Sequence, residues 1–300
     1  MSTTTEQKPN QTQPQLQPLP PYPAQHQNQQ PGIESQMNPR PIFDNPNYLA
    51  SGKLKEKVAI ITGGDSGQGR AIAVAFAKEG ADVVIVYLNE HTDAEEAKQA
   101  VEQKGRRCLA IAGDIGSEPF CQQIIEKTVQ QFGKLDILVN NAAEQHVQTS
   151  LENITSEQME KTFRTNFFSM FYLSKAALPH MKSGSTIINS ASLTAYEGNE
   201  QLIDYSSTKG AIVAFTRSLS KSLHSKSIRV NGVVPGTMWT PLIPASFPAD
   251  QVVNWGADNP MKRPGQPYEI APAYVYLASD DSSFVSGQFI HVTGGVITNG

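Results

Sequence analysis

Residues 58–70 read Val-Ala-Ile-Ile-Thr-Gly-Gly-Asp-Ser-Gly-Gln-Gly-Arg, and the fold follows from them. Val58–Thr62 is an unbroken run of the kind a strand shows when both of its faces are buried. Arg70–Glu79 then carries Ala71, Val74, Ala75 and Ala77 on helical spacing, with Gly80 placed to end the helix. Four glycines lie between strand and helix, and three of them, Gly63, Gly67 and Gly69, carry the reading. Gly63 can make the tight turn, Gly67 lets backbone approach a bound group closely, and Gly69 lets the helix pack on the strand. The helix start beyond them offers free amides and a partial positive charge, which suits a pyrophosphate. Their spacing, GxxxGxG, differs from the commoner GxGxxG fingerprint.

The alternation continues along the chain. Strands are expected at 82–87, 107–112, 135–140, 186–189, 228–234 and 288–292. Helices are expected at 92–104, 117–132, 156–181, 204–224 and 268–278, with a looser stretch up to Pro267. Strands separated by helices predict an α/β architecture, a doubly wound parallel sheet with right-handed crossovers, built as a single domain.

Ahead of that domain the composition changes. Residues 1–50 hold ten of the 20 prolines and ten glutamines, which lowers the apolar fraction to 39% and the charged fraction to 17%. Residues 1–30 have almost nothing to bury and are expected to be a disordered tail, with a polyproline-forming run at Pro18–Pro23. Residues 31–54 differ, because Ile33, Met37, Ile42, Phe43 and Tyr48 favour an extended arm packed on the body or on a neighbouring subunit. The globular remainder runs over 55–300.

Several functions are excluded. Net charge is −4 with no lysine/arginine cluster, so neither nucleic acid nor an anionic membrane is an expected partner. No apolar run reaches the ~20 residues of a membrane span, and the first residues lack the pattern of a secretory signal. Cys108 and Cys121 are too few for a disulfide framework or zinc site and suit reduced thiols in a cytoplasmic protein. The six histidines are scattered, so no metal site is expected. Gly64-Asp65-Ser66-Gly67 imitates a serine-protease nucleophile, but an all-β barrel is absent. An esterase would need a late Asp-x-x-His, and no histidine has an aspartate three residues earlier.

Tyr205 and Lys209 stand one turn apart at the start of a helix, on one face. A tyrosine with a pKa near 10 is a poor proton donor or acceptor at neutral pH. An ammonium one turn away stabilises the phenolate and lowers that pKa. Ser192 follows the strand at 186–189, at the sheet edge where open α/β proteins bind ligands, and its hydroxyl can hold a carbonyl or alcohol oxygen.

Taken in order, TGGDSGQG (62–69), Asp114, Asn140-Asn141-Ala142-Ala143, Asn166, Ser192, Tyr205 with Lys209, and Pro235-Gly236 followed by Thr240 resemble the short-chain dehydrogenase/reductase family. The wording of 141–146, 208–219 and 239–244 is similar to its bacterial general stress protein and plant glucose/ribitol dehydrogenase branch. The resemblance implies a Rossmann fold from about Lys55 to Gly295 and a homotetramer. It implies that Tyr205 is the acid/base, that Lys209 lowers its pKa and holds the nicotinamide ribose, and that Ser192 orients the substrate oxygen. Asn166 would anchor a water that relays protons through Lys209. The dinucleotide would lie on Gly63, Asp65, Ser66, Gly67, Gln68 and Gly69. Tyr87 and Leu88, at the end of the second strand, would also border the dinucleotide, and Asp114 with Ile115 would meet the adenine. Asn141, Ala142 and Ala143 would border the adenosine ribose, and Pro235, Gly236, Met238 and Thr240 the nicotinamide.

Two positions depart from the family pattern. Ala143 replaces a usual glycine and Gln68 a usual branched aliphatic residue; neither removes a catalytic group. The second strand ends in Tyr87-Leu88-Asn89, without the carboxylate that binds a ribose 2′-hydroxyl, yet no basic residue awaits a 2′-phosphate and Asp65 would repel one. NAD(H) is therefore favoured over NADP(H). Substrate contacts are expected from Ser192, Gln145 and Trp239, and more widely from the segments 144–146, 193–199 and a lid at 237–267. His146 reads as an ordinary loop histidine. The substrate is a small alcohol or carbonyl compound (sugar, polyol, aldehyde or ketone). The alternative is a catalytically idle dinucleotide-binding scaffold whose Gln/Pro tail recruits partners, against which the intact Asn166, Ser192, Tyr205 and Lys209 set argues.

Overall fold

The computed structural model describes residues 19–298. Seven strands form one sheet: β1 (Val58–Thr62), β2 (Asp82–Tyr87), β3 (Cys108–Ala112), β4 (Ile137–Asn140), β5 (Thr186–Ser190), β6 (Arg229–Pro235) and β7 (Phe289–Val292). Every pairing is parallel and the order is β3-β2-β1-β4-β5-β6-β7. The order reverses direction between β1 and β4, which opens a crevice at their carboxyl ends.

Side chains alternate across the sheet, so each strand feeds two cores. Ile61, Val83, Ile85 and Val139 pack on one side with α1 (Gly67–Lys78), α2 (His91–Glu102) and α9 (Pro267–Ala278). Ile60, Val84, Leu138 and Ile187 pack on the other with α3 (Glu118–Phe132), α5 (Ser169–Ala177) and α7 (Ile203–Leu223). This is the doubly wound Rossmann architecture that the sequence predicts.

Differences fall at the ends and in one helix. Helix α1 starts at Gly67, because the last two glycines form its first turn. The expected uninterrupted helix at 156–181 is α4 (Ser156–Phe163), a π-turn over Arg164–Phe168, then α5. Two short helices, α6 (Thr194–Glu197) and α8 (Ala249–Val253), were not expected. Among the described residues no helix is long and apolar enough to cross a membrane.

The N-terminal segment corrects one boundary. Residues 1–18 lie outside the described residues, and with them the start of the Pro18–Pro23 run. Residues 19–30, expected to be free, are held down. Tyr22 is 4% exposed and stacks on Trp239 at 4.3 Å between ring centroids. Its N–H donates to Val253 O at 2.7 Å, and Gln27 N–H donates to Pro244 O at 2.7 Å. The aromatic surface that this proline-rich run meets belongs to its own chain. Further along, Ile42 O accepts from Tyr268 N–H at 3.1 Å in the first turn of α9, Ile42 N–H donates to Gln266 Oε1 at 2.9 Å, and buried Glu79 collects Tyr48 Oη, Ser51 N–H and Lys53 N–H.

Candidate functional site

The glycine loop leaves β1 with Gly63 at φ +63° and enters α1 with Gly67 at φ +49°, left-handed conformations that favour glycine. Gly63 N–H donates to Val86 O at 2.7 Å, tying the turn to β2. A Cβ on Gly69 would lie 1.8 Å from Gly63 O, so this glycine is needed for packing and does not face the cleft. Thr62 Oγ1 accepts from Asn141 N and Ala142 N at 2.9 and 3.0 Å, which locks the loop after β4 to the glycine loop. The first-turn amides of Gln68 and Gly69 have no acceptor among the described residues. Free donors at a helix start, walled by glycines too tight for a side chain, fit a dinucleotide pyrophosphate.

Arg70 lies beneath the loop, fully buried. Its Nε donates to Asp65 O at 2.8 Å and its Nη2 to Asp93 O at 2.8 Å. Its remaining nitrogen pairs with Glu34 at 2.8 Å and Glu96 at 3.1 Å. Glu34 comes from the arm, and its other oxygen accepts from Gly67 N–H at 2.6 Å. Burial pushes the Glu34 carboxyl up, while Arg70 and the Gly67 amide pull it back. Nothing in the sequence singles out Glu34. Its partners are known only once the arm is seen folded against α1.

Ser192, Tyr205 and Lys209 meet across the carboxyl end of β5 and the first turns of α7. Lys209 Nζ donates to Ser190 O at 3.0 Å and stands 5.3 Å from the Tyr205 ring centroid. Burial pushes the Tyr205 phenol up to about 12, with the Ser192 hydroxyl pulling the other way. Burial also pushes Lys209 down to about 7. The lowering of the phenol's pKa expected from the lysine is not seen here: desolvation raises the phenol and lowers the lysine.

Asn166 stands in the π-turn and does not line the cleft. Its Oδ1 accepts from Glu144 N–H at 2.8 Å, and its Nδ2 donates to Glu144 O at 2.9 Å and Thr208 Oγ1 at 3.2 Å. It therefore braces the loop after β4 against α7, one residue from Lys209. A π-turn inside a helix is often found at functional sites, and here it turns a buried amide towards two other elements.

These groups open on one cleft of about 570 Å³. Apart from Gly69, every residue expected to meet the dinucleotide lines it, from Gly63 to Gln68, through Tyr87, Leu88, Asp114, Ile115 and Asn141–Ala143, to Lys209, Pro235, Gly236, Met238 and Thr240. Gln145 lines it too. Trp239 does not, which corrects its expected substrate role: it is fully buried, its Nε1–H donating to Pro39 O at 2.9 Å beneath the arm. His146 lies outside the cleft, 3.7 Å from Glu144. Sequence reading missed Gln30, Pro31 and Gly32, which line the cleft from the arm.

The family model described as enoyl-(acyl carrier protein) reductase matches residues 63–297. General stress protein 39 of Bacillus subtilis (strain 168) is 59% identical over 273 residues, 91% of this chain and 96% of its own. The glucose and ribitol dehydrogenase of Daucus carota is 50% identical over 285 residues, 93% of this chain and 98% of its own. NADPH-dependent aldehyde reductase 1, chloroplastic, of Arabidopsis thaliana is 49% identical over 282 residues, 92% and 98% of the two chains. A short chain dehydrogenase from Burkholderia cenocepacia J2315, solved in complex with NADP, superposes with a TM-score of 0.76 at 28% identity, over 81% of this chain and 98% of that one. With this agreement of motif order, sheet topology and relatives, the chain belongs to the short-chain dehydrogenase/reductase family and is an NAD(P)-dependent oxidoreductase.

Proposed function

We propose that the protein interconverts a small polyhydroxy alcohol or aldehyde with its oxidised or reduced partner, with Tyr205 as acid/base. The observation that carries this reading is the meeting of Ser192, Tyr205 and Lys209 in the cleft that the glycine loop enters. The dinucleotide supplies or accepts the hydride at the substrate carbon. In reduction the phenol proton of Tyr205 passes to the carbonyl oxygen; in oxidation the alcohol proton passes to the phenolate. Ser192 holds that oxygen beside the phenol. Lys209, fixed by Ser190 O, keeps a proton donor close to the phenol ring. Asn166 acts by bracing Glu144 and Thr208 around them. Glu144, Gln145 and Asn199 at the cleft are partners for substrate hydroxyls.

NAD(H) is the proposed cofactor. Its support is electrostatic: neither Asp65–Gln68 nor Tyr87–Asn89 contains a cation, and Arg70, which follows the glycine loop in sequence, is taken up by Glu34, Asp93 and Asp65. The NADPH named for the Arabidopsis relative and the NADP in the Burkholderia structure belong to those proteins and argue the other way. Comparing kcat/KM with the two cofactors decides it; a clear preference for NADPH overturns the proposal.

A homotetramer in a reducing compartment completes the reading. The aromatic group Phe167, Phe168, Phe171, Tyr172 and Phe215 on the π-turn, α5 and α7, with Phe171 half exposed, supports an intersubunit surface. Cys108 and Cys121 are free thiols, which supports the compartment. The decisive experiment follows NADH absorbance over polyols and carbonyl compounds. Tyr205→Phe should lower turnover by about 1,000-fold with dinucleotide affinity kept, since proton transfer contributes about 10²–10⁴. Unchanged turnover would show the acid/base assignment to be wrong.

A further inference from the structure

We propose that Gln30 is a positioning residue of the active site: the arm segment Gln30–Gly32 is a wall of the substrate cleft, and Gln30 holds Gln145 in place for the substrate. The inference rests on the oxidoreductase reading and extends it to a residue far from every recognised motif.

Gln30, Pro31 and Gly32 all line the cleft. The Gln30 carboxamide meets the Gln145 main chain from both sides. Its Nε2 donates to Gln145 O at 2.5 Å, and its Oε1 accepts from Gln145 N–H at 3.1 Å. One planar amide thus fixes both hydrogen-bonding groups of Gln145, as a neighbouring β-strand would. Gln145 is 4% exposed and lines the same cleft, in the loop that Asn166 holds one residue earlier. The loop is therefore gripped from the α7 side by Asn166 and from the arm by Gln30.

Both ends of the segment are anchored. Gly32 sits so close to the 237–267 segment that a Cβ would lie 2.3 Å from Pro241 O. Two residues on, Glu34 is locked to Gly67 N–H and Arg70, and Asp93 Oδ2 accepts from Glu34 N–H at 2.7 Å. On the other side, His26 Nδ1 meets Phe247 O at 2.9 Å and Gln27 N–H reaches Pro244 O. Gln30 is thus carried by a braced chain, and its amide can impose a position on Gln145 at little entropic cost. The same anchors hold the 237–253 segment against the cleft, so the arm limits the space left for substrate. A cleft narrowed in this way suits compact polyols and aldehydes and disfavours bulky ketones.

The test uses the full chain with Gln30→Met, which keeps length and removes both hydrogen bonds from a half-buried site. Losing two ordinary hydrogen bonds that position a substrate contact should raise the KM of a small polyol or aldehyde about fivefold to tenfold. The kcat should stay within about twofold and the dinucleotide Kd should not change, a split that general loosening would not give. Gln30→Glu, which keeps the acceptor but sets a carboxylate oxygen against Gln145 O, should raise KM at least as much. Hydrogen exchange supplies a readout independent of turnover: the Gln145 amide should exchange faster in Gln30→Met. An unchanged substrate KM in an active enzyme, equal losses of dinucleotide and substrate affinity, or an unchanged Gln145 exchange rate would each overturn the inference. If the parent chain binds dinucleotide yet turns over no polyol or carbonyl compound, the oxidoreductase reading fails instead, and the exchange rate still decides whether Gln30 holds Gln145.

Discussion

Two walls of the same cleft are encoded in different ways. The glycine-loop wall is written in thirteen consecutive residues, 58–70, and its strand, turn and helix follow from local chemistry. The arm wall is written in pairs far apart in sequence, such as His26 with Phe247 across 221 positions and Pro39 with Trp239 across 200. The first wall is strict at each position, because a backbone turn tolerates no added atom. Apart from Gly32, where a Cβ would meet Pro241 O, the second is strict only in sum, because several modest contacts share the load. Mutations should therefore act differently on the two.

The harshest break belongs to the glycine wall. Gly69→Val would set its Cβ 1.8 Å from Gly63 O, so the turn must move. We expect dinucleotide affinity to fall by about 100-fold or more and the melting temperature to drop by several degrees, as overpacking of a rigid site implies. Titration with NADH and a thermal scan check this. An affinity within about threefold of the parent would mean that the loop is less rigid than its geometry suggests.

Between the walls, Lys209 gives a pH-dependent test. Its folded pKa is about 7, and an unfolded lysine titrates near 10.4. Between those values the unfolded chain holds a proton that the folded chain lacks, so this group makes stability rise with pH across that window. Below about pH 7 the cost of burying the charge is present in full. Lys209→Met removes the contribution, so parent minus variant stability should increase by a few kcal/mol from pH 7 to pH 10. Urea unfolding of both proteins at the two pH values measures it. A difference independent of pH would place the Lys209 pKa near its ordinary value.

On the arm wall, Glu34→Gln keeps an acceptor for Gly67 N–H and removes the charge facing Arg70. Breaking a buried pair typically costs about 3–5 kcal/mol, but Arg70 keeps Glu96 at 3.1 Å and Asp93 at 3.6 Å, so about 2 kcal/mol is expected. Denaturant unfolding at pH 8 reads this directly. No loss would mean that the arm docks without the help of this pair.

The same division explains what could be read from the chain. The parallel sheet, its alternation with helices and most of the cleft-lining residues were legible because β-branched runs, helical spacing and ordered motifs are local signals. Asn166 was legible as a motif residue, but the π-turn that aims it was not, since nothing in Arg164–Phe168 breaks helical spacing. Trp239 was misread for a physical reason. An aromatic residue in a loop near the nicotinamide side suits a substrate contact, and only the folded arm shows that the indole is already covered by Tyr22. Residues 19–30 looked free because their apolar content is low, yet one tyrosine with a long-range partner and a few main-chain bonds hold them down.

The gentlest test returns to that indole. Trp239→Phe keeps a ring for Tyr22 to stack on and removes the Nε1–H that donates to Pro39 O. One ordinary hydrogen bond contributes about 1 kcal/mol, with some added cost for the volume lost where the indole was fully buried. A drop of about 2–4 °C in melting temperature follows for a domain of this size. The KM for polyol or aldehyde should stay within about twofold, because the ring faces the arm and not the cleft. A large rise in KM with stability intact would restore Trp239 as a substrate residue. The arm would then contribute to recognition through the loop it covers, and the separation drawn between the two walls would have to be abandoned.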